Sequence, residues 1–215
     1  MILAVVFNRS WNKLPMYLGV GLPGVLAVLG TTFWYFASPL YTDVGYQPEQ
    51  PVPFSHRLHA GELDLDCRYC HSTVEVAGKA AIPPTSTCMN CHSKVLVESS
   101  KLMIVRESAK TGEPIPWVRV HQLPDYAYFN HSVHVAAGVG CATCHGRIDQ
   151  MDEVALVEPL SMAWCLECHR DPAPNLRPRT EITNMEFDTA TYNPADDSSR
   201  TRQLVPPTHC SGCHR

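Results

Sequence analysis

The chain contains five copies of the pattern Cys-x-x-Cys-His, and these copies use all ten of its cysteines. Two thiols three positions apart can add across the two vinyl groups of one haem, and the following histidine can then bind the iron. The pattern therefore predicts five covalently bound c-type haems. The predicted attachment residues are Cys67, Cys70, Cys88, Cys91, Cys141, Cys144, Cys165, Cys168, Cys210 and Cys213. The predicted proximal iron ligands are His71, His92, His145, His169 and His214.

Zinc binding is the main alternative role for these cysteines. The 17 residues between Cys70 and Cys88, and the 20 residues between Cys144 and Cys165, fit the spacing of a zinc ribbon. Zinc would not require a histidine directly after every pair, and the fifth pair would have no partner. Haem is therefore preferred to zinc, and also to a disulfide framework.

Length and composition predict one membrane segment and one haem domain. A chain of 215 residues has room for both, and its net charge of −4 gives no indication of nucleic-acid binding. Porphyrins would supply much of the apolar interior, which makes 18 prolines and long irregular stretches tolerable. The expected fold has little regular secondary structure, with short helices and coil around five haems.

An uncharged segment near the N-terminus predicts a membrane helix. Met16–Ala37 is 22 residues long, or about 33 Å as a helix, which is enough to cross the hydrocarbon core. Arg9 and Lys13 precede this segment, and acidic residues follow it. The positive-inside rule then places the N-terminus in the cytoplasm and the haem domain outside. The apolar stretch is too long for a cleaved signal peptide, so an uncleaved anchor is expected, with a possible kink at Pro23.

A repeated motif divides the haem domain into similar parts. Phe54-Ser-His56-Arg-Leu-His59 precedes the first Cys-x-x-Cys-His, and Phe129-Asn-His131-Ser-Val-His134 precedes the third. Each copy is followed by a second haem motif, which indicates duplicated dihaem modules. The predicted organisation is a cytoplasmic tail (1–15), a transmembrane signal anchor (16–38), a linker (39–53) and a pentahaem domain (54–215), with modules at 54–92 and 129–169 and a fifth haem at 210–214.

Six histidines lie outside the haem motifs and are candidates for the distal side of each iron. In each His-x-x-His the two rings lie on one side of a helical turn, too close together to bind one iron from opposite faces. Each pair should therefore serve two different haems. The predicted distal ligands are His56, His59, His121, His131 and His134. The secondary candidates are Met162, Met185, Met103, Met151 and His209.

The connector between the modules predicts one further helix. Ser93–Lys110 has apolar residues at helical spacing, and Gly112-Glu-Pro114 predicts its end. The segment from Asp171 to Pro207 has no sustained periodicity, so we expect an ordered coil there.

The whole chain resembles the pentahaem cytochrome subunit of bacterial alternative complex III. The resemblance is strongest in 120–131 (Val-His-Gln-Leu-Pro-Asp-Tyr-Ala-Tyr-Phe-Asn-His) and in 160–170 (Leu-Ser-Met-Ala-Trp-Cys-Leu-Glu-Cys-His-Arg). The Phe-x-His-x-x-His element resembles that of class III, c7-type cytochromes. This resemblance implies a bacterial inner-membrane complex with a periplasmic haem domain. The implied partners are an iron–sulfur subunit, integral quinol-binding subunits and a monohaem cytochrome c, with a soluble carrier or terminal oxidase as acceptor.

A quinol dehydrogenase of the NapC/NrfH type is the alternative function. Such proteins place the first haem close to the membrane, whereas a linker and further residues separate the predicted anchor from Cys67 here. A third class, a redox enzyme with an open haem, is not favoured because enough histidines exist to fill every sixth position. The sequence therefore predicts electron relay without substrate chemistry of its own.

The first testable prediction is that all five motifs carry covalent haem. A pyridine haemochrome assay and the intact mass of the denatured protein should both give five haems per chain. Replacing Cys210 and Cys213 by alanine should remove one haem and leave the others. Four or fewer haems in the unaltered protein, or stoichiometric zinc, would contradict the prediction.

Overall fold

A computed structural model describes residues 8–38, 43–198 and 204–214. The chain divides into two compact units, Met1–Thr42 and Asp43–Arg215. About half of the predicted tail and the first residues of the predicted linker lie outside the described residues. The division of the haem domain into two modules and a fifth haem stays a prediction.

The first unit contains one helical segment, Ser10–Ala37, that is long and apolar enough to cross a membrane. Its helix α1 (Leu14–Met16) is followed by a π turn (Tyr17–Gly21) and by helix α2 (Leu22–Ala37). Pro23 lies in the first turn of α2. Because proline has no N–H to donate to the preceding turn, regular α-helical bonding is interrupted there. The kink at Pro23 stays a prediction, and the π turn is the interruption that the structure shows just before this proline.

The second unit is built from short helices joined by coil. These helices are α3 (Cys67–Cys70), α4 (Thr85–His92), α5 (Met103–Thr111), α6 (His131–Ala137), α7 (Cys141–His145) and α8 (Met162–Arg170). A π turn (Arg57–Glu62) carries the first His-x-x-His, and 3₁₀ turns occupy parts of the coil. Across the described ranges there is no strand, and the isolated bridges are Ala127–His214 and Val139–Leu176. The expectation of short helices and coil is confirmed.

Side-chain caps explain where several of these helices begin. Asp66 accepts from the backbone N–H of Arg68 at the start of α3, and Asn130 accepts from that of Ser132 at the start of α6. Such caps satisfy N–H groups that have no partner within the helix. Gly138 ends α6 with φ at 87°, a left-handed conformation that glycine adopts without steric cost. These local signals fix the start of α3 and both ends of α6.

The connector helix is shorter than predicted. The prediction placed it at Ser93–Lys110, but α5 covers only Met103–Thr111, after a 3₁₀ turn at Ser100–Leu102. Leu96 has φ at 54°, and this left-handed conformation is incompatible with a continuous right-handed helix. The predicted end is confirmed, because Gly112 closes α5 with φ at 80°.

The second unit has a thin apolar core for its length. Over the described residues, the buried apolar side chains are Val52, Val105, Leu156, Leu176 and Ile182. A domain of this length ordinarily encloses a larger hydrophobic interior. The protein therefore lacks much of the apolar packing that a polypeptide core would provide, in agreement with an interior filled by another group.

One close backbone approach holds the first His-x-x-His turn in place. A Cβ atom on Gly61 would overlap the carbonyl of Asp149, so only glycine fits between these two segments. Gly61 belongs to the π turn that bears His59, and Asp149 belongs to the 3₁₀ turn Ile148–Gln150 that follows α7. The turn thus packs directly against a segment of the second repeat.

The second prediction tests this approach. Gly61→Ala should lower the free energy of unfolding by roughly 1–3 kcal/mol, because backbone must move to admit the methyl group. Gly78→Ala is the matched control, since its nearest neighbour would be 3.7 Å away, and its stability should change by less than about 1 kcal/mol. Thermal unfolding followed at the haem Soret band measures both variants. Equal melting temperatures for the two would contradict the proposed contact.

Candidate haem sites

The first four Cys-x-x-Cys-His motifs lie on helices. They occupy α3 and the residue after it, the end of α4, α7 and the end of α8, while the fifth lies at a 3₁₀ turn, Cys210–Gly212. Cysteines at i and i+3 of a helical turn face the same side. Both thiols of a motif are therefore presented together, as attachment to two vinyl groups of one porphyrin requires.

Seven of the predicted ligands share one hydrogen-bonding arrangement at the ring nitrogen Nδ1. A backbone carbonyl can only accept, so an Nδ1 that bonds one must carry the proton, which leaves the lone pair on Nε2 for a metal. Among the proximal histidines, Nδ1 of His71 lies 2.8 Å from the carbonyl oxygen of Ala81, and Nδ1 of His92 lies 3.1 Å from that of Val95. Nδ1 of His169 lies 2.7 Å from the carbonyl oxygen of Pro207, and Nδ1 of His214 lies 3.0 Å from that of Tyr126. Among the distal candidates, His59 bonds Ser55 at 2.8 Å, His131 bonds Gly78 at 3.0 Å and His134 bonds Asn130 at 2.8 Å.

The two Phe-x-His-x-x-His elements have nearly the same geometry. Phe54 stacks on His59 with ring centroids 4.3 Å apart, and Phe129 stacks on His134 at 4.4 Å. Each phenylalanine also meets the other histidine edge-on, at 4.8 Å for His56 and 4.7 Å for His131. The sequence repeat is thus also a repeat in three dimensions, with one phenylalanine fixing the planes of two imidazoles.

Three histidine pairs are separated by the distance that one iron requires. Metal–imidazole bonds of about 2 Å on opposite faces of one iron put the ring centroids about 6 Å apart. The observed separations are 6.2 Å for His59 and His92, 6.4 Å for His131 and His145, and 6.1 Å for His134 and His169. Each pair joins a predicted distal ligand to a predicted proximal one. In the second repeat the two histidines of His-x-x-His face different haem motifs, and in the first repeat His59 faces the second motif.

Burial and neighbouring histidines lower the pKa values of both His56 and His145, and the neighbour that acts most on His56 is His71 of the first motif. Burial, followed by the charge of His71, lowers the pKa of His56 to about 4. Burial, followed by the charges of His121 and His131, lowers the pKa of His145 to about 3. Both imidazoles are therefore neutral at physiological pH, the state in which a ring nitrogen can bind metal. By the repeat, His56 corresponds to His131, and His71 corresponds to His145.

His121 occupies a different position from the paired histidines. Its ring centroid lies 4.3 Å from that of His145, which is too short for two ligands on opposite faces of one iron. Its Nε2 is buried and makes no hydrogen bond within the described structure. The assignment of His121 to the fifth iron stays a prediction, as do all the axial assignments above.

The secondary candidates for distal ligands differ in how much of their surface is exposed to solvent. Met103 and Met162 expose 63% and 67% of their surface, as packing at a helix surface allows, while Met151 and Met185 are half-buried. His209 is exposed, and its carbonyl accepts from the N–H of Gly212 at 3.0 Å in the turn that carries the fifth motif. Their ligation also stays a prediction.

Several contributing residues have no signal in the sequence. The carbonyls of Gly78, Pro207 and Tyr126 orient haem-motif or distal histidines 38 to 88 positions away, so no local pattern could reveal them. Arg177 is 3% exposed and packs so closely on Gly140 that a Cβ there would overlap its guanidinium. This buried arginine lies beside Cys141. In the sequence it does not flank a haem motif, so its position there gave no indication of this contact.

Haem fits these residues better than a protein-only metal site. In the described part of the chain, no three or more His, Cys, Asp or Glu side chains converge to hold a metal ion. The spacing above instead offers a metal two imidazoles, and a porphyrin supplies the four remaining ligands. All ten cysteines lie in the described ranges and none forms a disulfide. Paired histidines beside Cys-x-x-Cys helices, around a thin core, define a c-type cytochrome.

Comparisons with known proteins identify the family. Residues 39–112 match the class III cytochrome c family, and residues 110–204 match the cytochrome c552 family. The chain is 32% identical over 162 residues to the "Menaquinone reductase, multiheme cytochrome c subunit" of Nitratidesulfovibrio vulgaris, a match that covers 75% of this chain and 69% of the relative. The chain therefore belongs to the multihaem cytochrome c family, whose haems are covalently bound and transport electrons.

The third prediction concerns one axial pair. His131→Met should raise the potential of a single haem, because thioether ligation in place of imidazole favours ferrous iron. A spectropotentiometric titration should show one component shifted upwards and the others unchanged. His209→Met serves as the control and should leave every component in place. An unaltered titration for His131→Met would reject its assignment as a ligand.

Proposed function

We propose that this chain is a pentahaem cytochrome that relays electrons within a quinol-linked membrane complex. The observation that carries the proposal is the separation of 6.1–6.4 Å in three histidine pairs. An iron with an imidazole on each face has no open position for a substrate. Such sites exchange electrons and bind no organic molecule at the metal.

The proposal assigns a haem to each Cys-x-x-Cys-His motif. When bound, each haem supplies one-electron chemistry by alternation of its iron between the ferrous and ferric states. The protein's residues fix the spacing and the ligands, and they determine how much water reaches each site. Backbone carbonyls that accept from Nδ1–H increase the basicity of the coordinating nitrogen, which is one way in which the protein adjusts each potential.

The helix Ser10–Ala37 supports a place in a membrane complex. In this proposal it crosses the bacterial inner membrane once, with the N-terminus in the cytoplasm and the haem domain in the periplasm. Lys13 at one end and Asp43 beyond the other agree with that orientation. An anchor of this kind would hold the haems close to a quinol-binding partner within the same membrane.

Within this class we assign the chain to alternative complex III. The support is its resemblance to the pentahaem subunit of that complex at 120–131 and 160–170. Electrons would arrive from quinol through an iron–sulfur subunit and integral membrane subunits, and leave through a monohaem cytochrome c to a soluble carrier or an oxidase. Quinol oxidation releases two electrons and two protons, so two single-electron transfers to this chain would follow each quinol.

Menaquinone reduction is the second candidate. It is favoured by the relative from Nitratidesulfovibrio vulgaris, which is named as a menaquinone reductase subunit. The same series of haems would then carry electrons in the opposite direction, from a periplasmic donor to quinone. The NapC/NrfH-type alternative would instead feed a periplasmic reductase. Isolated membranes distinguish quinol oxidation from menaquinone reduction by whether quinol reduces the haems, or a reduced periplasmic carrier drives menaquinol formation.

The fourth prediction tests the anchor as part of this function. The full chain should resist carbonate extraction and leave the membrane in detergent together with larger subunits. A version lacking residues 1–38, exported behind a cleavable signal, should retain its haems. Its quinol-dependent reduction in membranes should fall by about 100-fold, since tethering raises the effective concentration of the partner by this order. Full activity of the shortened chain would contradict the anchor's role in assembly.

A further inference from the structure

We infer that the five haems form one unbranched series in the spatial order motif 2, motif 1, motif 3, motif 4, motif 5, with electrons entering and leaving at motifs 2 and 5. Motifs are numbered along the sequence, from Cys67 for motif 1 to Cys210 for motif 5. The inference rests on the proposed function, because it requires a haem at every motif. Each step moves one electron from a ferrous iron to a neighbouring ferric iron, and no bond forms or breaks.

Motif 2 neighbours motif 1 through their own intervening residues. Asn90 Nδ2, between the cysteines of motif 2, donates to the hydroxyl of Tyr69, between those of motif 1, at 3.0 Å. The thiols of Cys70 and Cys88 also lie within electrostatic range of each other. His59 faces His92 of motif 2, and His56, three residues earlier, interacts electrostatically with His71 of motif 1, so a single turn spans the two sites.

Motif 1 neighbours motif 3 as well as motif 2, which follows it in the sequence. The thiols of Cys67 and Cys141 interact electrostatically with each other. In a c-type cytochrome both sulfurs are thioethers, so their proximity brings two haem attachment edges together. Main-chain bonds hold the junction: His131 N–H donates to the Gly78 carbonyl at 3.1 Å, and Ser132 N–H donates to that of Ala77 at 3.2 Å.

The segment after α8 also holds motifs 1 and 3 together. The N–H of Cys141 donates to the carbonyl of Ile182 at 3.0 Å. The hydroxyl of the next residue, Thr183, donates to Asp66, which caps the helix of motif 1, at 3.2 Å. One short stretch therefore bonds to the start of motif 1 and to the start of motif 3. The two repeats are joined at their first haem motifs.

Motifs 3, 4 and 5 follow in sequence order. His131 faces His145 of motif 3 and His134 faces His169 of motif 4, so one turn of α6 spans these two sites. Cys144 lies within electrostatic range of Cys165 and Cys168. Motif 4 is joined to the last segment because His169 donates from Nδ1 to the Pro207 carbonyl at 2.7 Å, and Cys165 lies near Cys213.

Solvent exposure independently marks the two ends. Of the ten cysteines, all of which lie in the described ranges, only Cys91 and Cys210 are exposed. Cys91 belongs to motif 2 and Cys210 to motif 5. The interior motifs 1, 3 and 4 have no exposed cysteine. A haem at an exposed edge can approach a partner protein, whereas an interior haem can exchange electrons only with its neighbours.

The order can be tested without activity measurements, on the full chain in detergent. After the haem count is measured, nuclear Overhauser contacts between haem substituents in the fully reduced protein should join motifs 2 and 1, 1 and 3, 3 and 4, and 4 and 5. Five haems with contacts between motifs 2 and 4, or 2 and 5, would overturn the order and leave the proposed function intact. Four or fewer haems would overturn both.

Two matched haem deletions provide a second test. A ruthenium photosensitiser is attached at Lys94→Cys, beside motif 2, where the introduced cysteine is the only thiol not bound to haem. The protein is immobilised at low density with a sacrificial donor, which prevents exchange between molecules. With Cys141 and Cys144 replaced by alanine, illumination should reduce only two of the four remaining haems. With Cys210 and Cys213 replaced, it should reduce all four. Rapid reduction of all four in the first variant would overturn the series.

Discussion

The hydrogen bond from histidine Nδ1 to a backbone carbonyl is the interaction on which the haem sites depend. An unrestrained imidazole can rotate and can protonate either nitrogen, so its ring plane and its donor atom are both undefined. The carbonyl fixes both, and it does so for seven histidines with Nδ1–O distances of 2.7–3.1 Å. Each bond contributes only about 1 kcal/mol to stability. Its larger effect is that the position of a backbone carbonyl determines the ring plane and the donor nitrogen of each histidine.

The thin core makes the polypeptide and its haems interdependent. Only a few apolar side chains are buried across the described residues, and the helices of the second unit are short. Isolated helices of this length are marginal in water, so the helices need tertiary contacts to persist. Covalent porphyrins supply an apolar surface that these side chains do not supply to one another. Caps such as Asp66 and Asn130 define where α3 and α6 begin.

Local spacing predicted much of the site, and long-range contacts account for what it did not predict. The Cys-x-x-Cys-His motifs, the two Phe-x-His-x-x-His elements and the helix end at Gly112 all depend on residues within a few positions of one another. The connector helix was placed too early because periodicity in residues 93–99 does not reveal the left-handed Leu96. The bond from Gly78 to His131 and the burial of Arg177 against Gly140 join distant segments. No pattern in one sequence specifies such pairings.

The loop between Ser72 and Ala81 imposes a constraint on how this protein can change during evolution. Its Ala81 carbonyl orients His71 in the same repeat, while its Gly78 carbonyl orients His131 in the other. An inserted or deleted residue here would displace two predicted iron ligands at once. Surface loops ordinarily tolerate changes of length, but this one should not. The two copies of the repeat therefore cannot change independently of each other at this loop.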